Sequence, residues 1–340
     1  MPSFRAFARV QSVFIVFISL ALAGAGCARD KTTKGATKDS GSTTAAGSKT
    51  IGVTLLTRED EFYRELESGL RSAAAAHGYK ILVTSGDRDL AKQQSQIDNF
   101  IVQHVDAIVV CPVDSRGIGP AIVRANTAKI PVFTADIAAQ GGTVVSHVAS
   151  DNIEGGRLAA EYIAKAIGDS GDVGVIGEND VQTTIDRQQG FTQALATHSK
   201  IKVVAQLDGS GVRDRSLRAA DDLLQAHPKV RAIFAINDES ALGTLAAAQA
   251  RKAHPVIVGY DAAPEARRAI LGSTPLRADV AQQPSLIGQK TIDAIASYFA
   301  GQTPEAKIAV PVTVLDSAAL ASASATPAQS KDSLKPATPR

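Results

Sequence analysis

The sequence predicts an α/β protein built as two doubly wound parallel-sheet lobes, and three observations carry that expectation. Apolar strand-like runs alternate with amphipathic helical stretches across residues 51–315, the order that builds parallel sheets with right-handed crossovers. The alternation falls into two blocks, and residues 144–157 between them read as a crossing. There an alternating strand, Val144 to Ala149, precedes a helix that Asp151 or Asn152 caps and that runs to about Ile167 with Leu158, Tyr162, Ile163 and Ala166 on one face. Finally, 340 residues with 44% hydrophobic and 21% charged side chains can fill two sizeable cores. Two such sheets leave a cleft that the strand ends of both can face, the place where α/β proteins bind ligands.

In the first block, strand Ile51–Leu56 leads through the polar loop Thr57–Glu61 to a helix with Phe62, Leu66, Leu70, Ala73 and Ala74 on one face, ended by Gly78. Strand Lys80–Thr84, a helix from about Asp89 to His104, strand Ala107–Cys111, a helix near Ile118–Thr127 and strand Pro131–Ala135 follow, with Asp136 at the strand exit. In the second block, strand Asp172–Ile176 gives way to a polar loop, Gly177–Thr184, and a helix carrying Phe191 and Leu195. Strand Ile201–Gln206, the loop Asp208-Gly-Ser-Gly211, a helix through Leu217, Leu223 and Leu224, and strand Val230–Ile236 come next. Asn237-Asp238-Glu239 starts another helix, with Asp238 as its expected cap. Strand Val256–Gly259 ends in Tyr260-Asp261, strand Leu276–Gln282 crosses back, helix Ser285–Ala300 follows, and one last strand covers Ile308 to Leu315.

The ends have a different character. Arg5 and Arg9 precede an apolar run, Val13 to Leu22, too short to span a bilayer comfortably, then small residues and Cys27. This pattern resembles a bacterial lipoprotein signal over residues 1–26, with Cys27 lipidated and anchored to the membrane. Gly24 stands where such signals carry Leu, so plain secretion is the competing expectation; either way the chain leaves the cytoplasm. Residues 27–48 are polar and small enough to read as a disordered tether, and residues 317–340 as a disordered tail.

Composition excludes several functions. Net charge is +2 and there is no Trp, which gives neither an electrostatic footprint nor a stacking platform for nucleic acid. Two cysteines make no disulfide framework, and Cys111, at the end of an apolar strand, reads as a small buried hydrophobe. Gly168-Asp-Ser-Gly171 misses the nucleophile-elbow spacing, Gly117-Ile-Gly119 lacks the third glycine of a dinucleotide loop, and the six histidines are dispersed. An enzyme is not expected, nor a cofactor or metal.

The stretch Ala226–Gly243, which includes Phe234-Ala-Ile-Asn-Asp-Glu-Ser-Ala-Leu-Gly243, resembles the corresponding part of bacterial periplasmic ribose-binding proteins. So do residues 144–165, Val105–Asp114 and Val258-Gly-Tyr-Asp261. The resemblance implies a type I periplasmic binding protein with three crossing segments, near Val148–Asn152, Val280–Pro284 and Val310–Thr313. It implies an N-terminal lobe of residues 49–150 plus 283–311 and a C-terminal lobe of 151–282 plus 312–316. It further implies a monomer that closes on a small sugar or polyol and delivers it to an ABC permease and ATPase. The alternative is presentation of the closed form to a chemoreceptor or sensor kinase, including for a furanosyl signalling molecule. The repressors that share this fold carry an N-terminal helix-turn-helix, for which a signal and tether leave no place.

By the same resemblance Asp136, Asn237, Asp261 and Gln282 are the polar ligand contacts, Phe62 and Tyr63 the aromatic ones, and Asp60 an acceptor for hydroxyls. Plainer roles compete: turn residue for Asp136 and Asp261, helix cap for Asn237, core residue for Phe62, hinge surface for Gln282. Ile137 and Ile185 stand where the ribose pattern has arginines, and Gly209-Ser-Gly-Val-Arg213 where it has an aromatic. These departures point to an acidic cleft and a ligand other than ribose: another pentose or hexose, a polyol or an amino sugar. Arg187 or Arg213 would offset them by turning into the site.

Overall fold

The computed structural model describes residues 48–325. Residues 1–47 and 326–340 lie outside that range, and with them the expected signal peptide, Cys27, nearly all of the expected tether and the end of the expected tail. In chain order the first lobe starts with β1 (Thr50–Leu55), α1 (Glu61–Ala76), β2 (Lys80–Ser85), α2 (Leu90–Val102), β3 (Ala107–Val110), α3 (Gly119–Thr127), β4 (Val132–Ala135) and β5 (His147–Ser150). The second holds α4 (Asn152–Ala166), β6 (Gly171–Gly177), α5 (Gln182–Leu195), β7 (Ile201–Asp208), α6 (Arg213–Ala226), β8 (Ala232–Ala235), α7 (Asp238–Arg251), β9 (Val256–Asp261), α8 (Pro264–Leu271) and β10 (Leu276–Ala281). The chain then returns through α9 (Pro284–Phe299), which packs on α1, and β11 (Lys307–Val310), before β12 (Thr313–Asp316) and α10 (Ser317–Ala325).

Two six-stranded sheets result, ordered β11-β5-β4-β3-β1-β2 and β12-β10-β9-β8-β6-β7. Pairing is parallel throughout except for β12, which runs antiparallel to β10. The chain passes between the sheets after β5, after β10 and between β11 and β12. Each sheet buries both faces. Ile51, Val53 and Phe133 lie in one first-lobe core and Ile108, Val110 and Ile122 in the other. In the second lobe, Val175, Phe234 and Tyr260 are in one core and Ile176, Ile233 and Leu245 in the other. Continuous apolar runs rather than strict alternation are what a doubly covered parallel sheet requires.

Local signals explain the joints. Asp151 caps α4, accepting from Glu154 N at 3.1 Å. Gly156 lets α4 lie directly on α5, since a Cβ there would fall 2.0 Å from the Arg187 carbonyl oxygen. Four expectations need correction. Asn237, not Asp238, caps α7, accepting from Ser240 N at 2.8 Å, and Asp238 instead accepts from Ala263 N at 2.6 Å. The short helix α8, opened by Pro264, lies where no helix was expected. The single last strand is two, because residues 311–312 carry the chain from one sheet to the other. Residues 317–325 are not an unstructured tail but α10: its Ala-rich sequence favours helix, Asp316 accepts from Ala319 N at 2.9 Å, and Leu320 is buried in a second-lobe core.

The lobes touch across the cleft. Ser115 of the first lobe donates its backbone N–H to Asp180 O at 3.1 Å, and its hydroxyl accepts from Gln182 N at 2.9 Å. Gln140 Nε2 donates to Gln182 Oε1 at 2.9 Å, and Val181 is buried against first-lobe core residues. The conformation is therefore a closed one.

Candidate functional site

Between the lobes lies a small pocket lined by residues of both. Its polar lining comes from loops at the C-terminal ends of strands: Asp60 after β1, Arg88 after β2, Asp136 after β4, Glu178 after β6, Asn237 after β8 and Asp261 at the end of β9. Gln282 follows β10, Arg187 reaches in from α5, and Phe62 and Tyr63 from the first turn of α1 supply the aromatic wall. Three of the charged residues sit in the left-handed region of backbone space, Arg88 at φ 60°, Asp136 at 63° and Asp261 at 105°. Such conformations cost energy for a residue with a Cβ and tend to persist at ligand sites, where the surroundings hold them.

Two acid–guanidinium–acid groups straddle the cleft. In the first, Arg88 Nη2 donates to Asp60 Oδ2 at 3.0 Å while Arg88 Nη1 lies 3.8 Å from Glu178 Oε1 of the other lobe. Arg88 also reaches the second-lobe carbonyl oxygen of Ser210, at 3.4 Å. Asp60, at the head of α1, makes no capping hydrogen bond because its carboxylate faces Arg88. In the second group, Arg187 is buried and stacks over the Tyr260 ring at 3.8 Å from its centroid. Its Nε donates to Asn152 Oδ1 at 2.8 Å and its Nη1 to Ile236 O at 2.7 Å, with Asp261 Oδ1 at 3.7 Å. Asp136 of the first lobe feels the same cation.

Burial governs the ionisation of these acids. Desolvation lifts Asp136 to about 6, against the pull of Arg187 and the Tyr63 hydroxyl. It lifts Asp261 and Glu178 to about 7, opposed by Arg187 and by Arg88 respectively. Asp60 is raised for the same reason, with Arg88 working against the rise. Behind Asp261, burial raises both Asp238 and Asp279, and the negative charge of Asp261 raises them further.

Hydrogen bonding sorts the acceptors. Tyr63 Oη donates to Asp136 Oδ2 at 2.8 Å, leaving Asp136 Oδ1 buried without a partner. Gln282 Nε2 donates to Asp261 Oδ1 at 2.6 Å, so Gln282 Oε1 is the free end of the amide, also buried and unpartnered. Asn237 has both ends engaged, as helix cap and as donor to Gly211 O at 3.1 Å.

Eight of the sequence-derived residues therefore line one cavity: Asp60, Phe62, Tyr63, Asp136, Arg187, Asn237, Asp261 and Gln282. Arg213 does not. It forms ion pairs with Glu239 and Glu265, both at 2.9 Å, outside this cavity. The expected loss of both cations is also corrected, since Arg187 and Arg88 stand in the cleft. Sequence reasoning missed Arg88, Glu178 and Asn152. A uniform rule, that the residues just past every parallel strand face the cleft, would have found Arg88 and Glu178. Nothing local marks Asn152, whose role depends on Arg187.

Residues 51–303 match the periplasmic binding protein domain. The ribose import binding protein of Salmonella typhimurium is 36% identical over 274 residues, covering 79% of this chain and 91% of that protein. Its Bacillus subtilis counterpart is 34% identical over 264 residues, covering 77% and 86%. An ABC transporter solute-binding protein from Agrobacterium vitis, solved with α-D-tagatopyranose bound, superposes with a TM-score of 0.76 at 28% identity, covering 79% of this chain and 95% of its own. With this match over most of its length, and two lobes joined by three crossings around a polar cleft, the chain belongs to the periplasmic binding protein family.

Proposed function

We propose that this protein captures a small sugar or polyol in its interlobe cleft, outside the cytoplasm, and delivers it to an ABC importer. The observation that carries the reading is the cavity itself. Carboxylates from both lobes converge on it, and Asp136 Oδ1 and Gln282 Oε1 are buried there with no partner in the protein. Buried acceptors left unsatisfied are costly, and ligand hydroxyls are donors of the right size. The names of the ribose import relatives support the importer as recipient. Asp60, Phe62, Tyr63, Asp136, Asp261 and Gln282 are proposed as direct contacts, joined by Arg88 and Glu178. Arg187 and Asn237 are proposed to shape the site, since most of their polar groups already meet protein partners.

Ligand contacts from both lobes favour the closed state over the open one, and the importer reads that shift in population. We further propose that the protein acts as a monomer tethered through lipid on Cys27. A Cys27→Ser variant then appears in the soluble fraction instead of the membrane fraction. The ligand reading is tested by thermal denaturation against pentoses, hexoses, polyols and amino sugars. A ligand at a hundred times its Kd adds about 2.7 kcal/mol of stability, so a true ligand raises the midpoint clearly. No shift with any member of the panel would refute the sugar reading.

A further inference from the structure

The cavity carries more acidic than basic groups. Four carboxylates line it, those of Asp60, Asp136, Glu178 and Asp261, against two guanidinium groups, those of Arg88 and Arg187. The full count leaves an excess of two negative charges, one in each acid–guanidinium–acid group. The donors present are mostly turned toward protein acceptors. Tyr63 Oη serves Asp136, Gln282 Nε2 serves Asp261, and Asn237 Nδ2 serves Gly211 O. Arg187 directs Nε and Nη1 at Asn152 and Ile236, and Arg88 directs Nη2 at Asp60. Among the lining atoms that are fully buried, the two left without a partner are acceptors. Asp136 is 3% exposed and Gln282 6%, and each keeps one buried oxygen unpartnered.

A hydroxyl brings one donor and two acceptor lone pairs, whereas an ammonium brings three donors, no acceptor and a positive charge. The second inventory fits these leftover groups better. Charge-assisted hydrogen bonds to a carboxylate are also the stronger kind. A neutral ligand would leave the excess charge buried when the lobes close, so that protons would have to neutralise it. Burial already pushes Asp136, Glu178 and Asp261 in that direction. A cationic ligand removes the imbalance without proton uptake.

We propose, building on the reading of the cleft as a sugar or polyol site, that its ligand is an amine-bearing sugar or polyol whose ammonium group lies against Asp136 and Gln282. The hydroxyls of the same ligand face Asp60, Glu178 and Asp261, and Phe62 covers its apolar side.

The test is titration calorimetry of the whole protein at pH 7.5 with matched triplets: an amino-deoxy hexose, pentose or alditol, its hydroxyl parent, and its N-acetyl derivative. The amine is placed at different carbons across the panel. The proposal expects at least one amine to bind tenfold or more tightly than both its parent and its acetylated form. Acetylation removes the charge and two donors but adds bulk, so the hydroxyl parent is the control of like size. Asp136→Asn should shrink that preference toward unity. If the neutral parents bind as tightly as their amines or more tightly, the proposal is overturned and the sugar reading stands. Should no compound in any triplet bind, both fall together. An amine preference undiminished in folded Asp136→Asn would overturn the placement at Asp136. If that variant does not fold, Gln282→Leu takes its place for the other contact, and the wild-type comparison still decides the ligand class.

Discussion

Asp136→Asn exchanges a carboxylate for an amide of the same shape at the centre of the cleft, and its consequences can be worked from the structure. Asp136 is 3% exposed, and burial raises its carboxyl from an ordinary 3.8 to about 6. Because the folded protein holds this proton more tightly than the unfolded chain, folding takes up protons between those values. Stability is full below about pH 4, falls as pH climbs through 6, and levels off above it. A tenfold change in proton affinity corresponds to about 1.4 kcal/mol, so the ionised group costs the fold about 3 kcal/mol at pH 7.5. The amide carries no such penalty and still accepts from Tyr63 Oη through its carbonyl oxygen. Without ligand, the variant should therefore match the wild type near pH 4 and exceed it at pH 7.5 by up to that amount, several degrees in thermal midpoint. Its NH2 would also replace the unpartnered Oδ1, presenting a donor where the ligand donates. Loss of a charge-assisted bond worth about 1.5–3 kcal/mol weakens binding about ten- to a hundredfold. Calorimetric denaturation at both pH values, with ligand titration at 7.5, measures both effects. A variant less stable than the wild type at pH 7.5, or one that binds as tightly, would refute the reasoning.

Three further outcomes follow from the same geometry. Asp136, Asp261 and Glu178 are all held above their ordinary values by burial, so the unliganded wild type should lose stability steadily from pH 5 to pH 8; a thermal midpoint that rises over that interval contradicts the assignment. Gly156→Ala would put a methyl group against the backbone of α5, and should lower stability by about 1–3 kcal/mol in chemical denaturation. Arg88→Ala leaves Asp60 and Glu178 without their shared cation across the cleft and should weaken ligand binding tenfold or more, whereas Arg213→Ala removes only a surface network worth about 0–1 kcal/mol and should leave affinity nearly unchanged.

Much of the architecture was legible because parallel strands covered on both faces leave short apolar runs, and many of these runs end in a polar residue that lines the cleft. Asp136, Asn237, Asp261 and Gln282 could be named from that pattern together with the family resemblance. Arg88 and Glu178 stand just past β2 and β6, so their positions follow from the same rule; that they meet across two lobes, more than eighty residues apart in sequence, no local pattern records. Arg213 misled for the complementary reason: its neighbours Glu239 and Glu265 belong to later elements and draw it away. The helix at Ser317–Ala325 was hidden by its Ala/Ser composition, which suits a tail as well as a helix. The Asp316 cap and the docking of Leu320 decide between them. Helix α8 is only eight residues long, so its apolar face, chiefly Ala266 and Ile270, leaves a weak periodic signal.

The central claim is that ligand is held between lobes that close on it. Spin labels on cysteines introduced by Val102→Cys in the first lobe and Leu271→Cys in the second, both exposed positions, report the interlobe distance by pulsed electron paramagnetic resonance. The account predicts a distribution that narrows and shifts to the closed distance as a sugar, polyol or amino-sugar ligand identified by titration is added. A saturating ligand that leaves the distribution unchanged would contradict it.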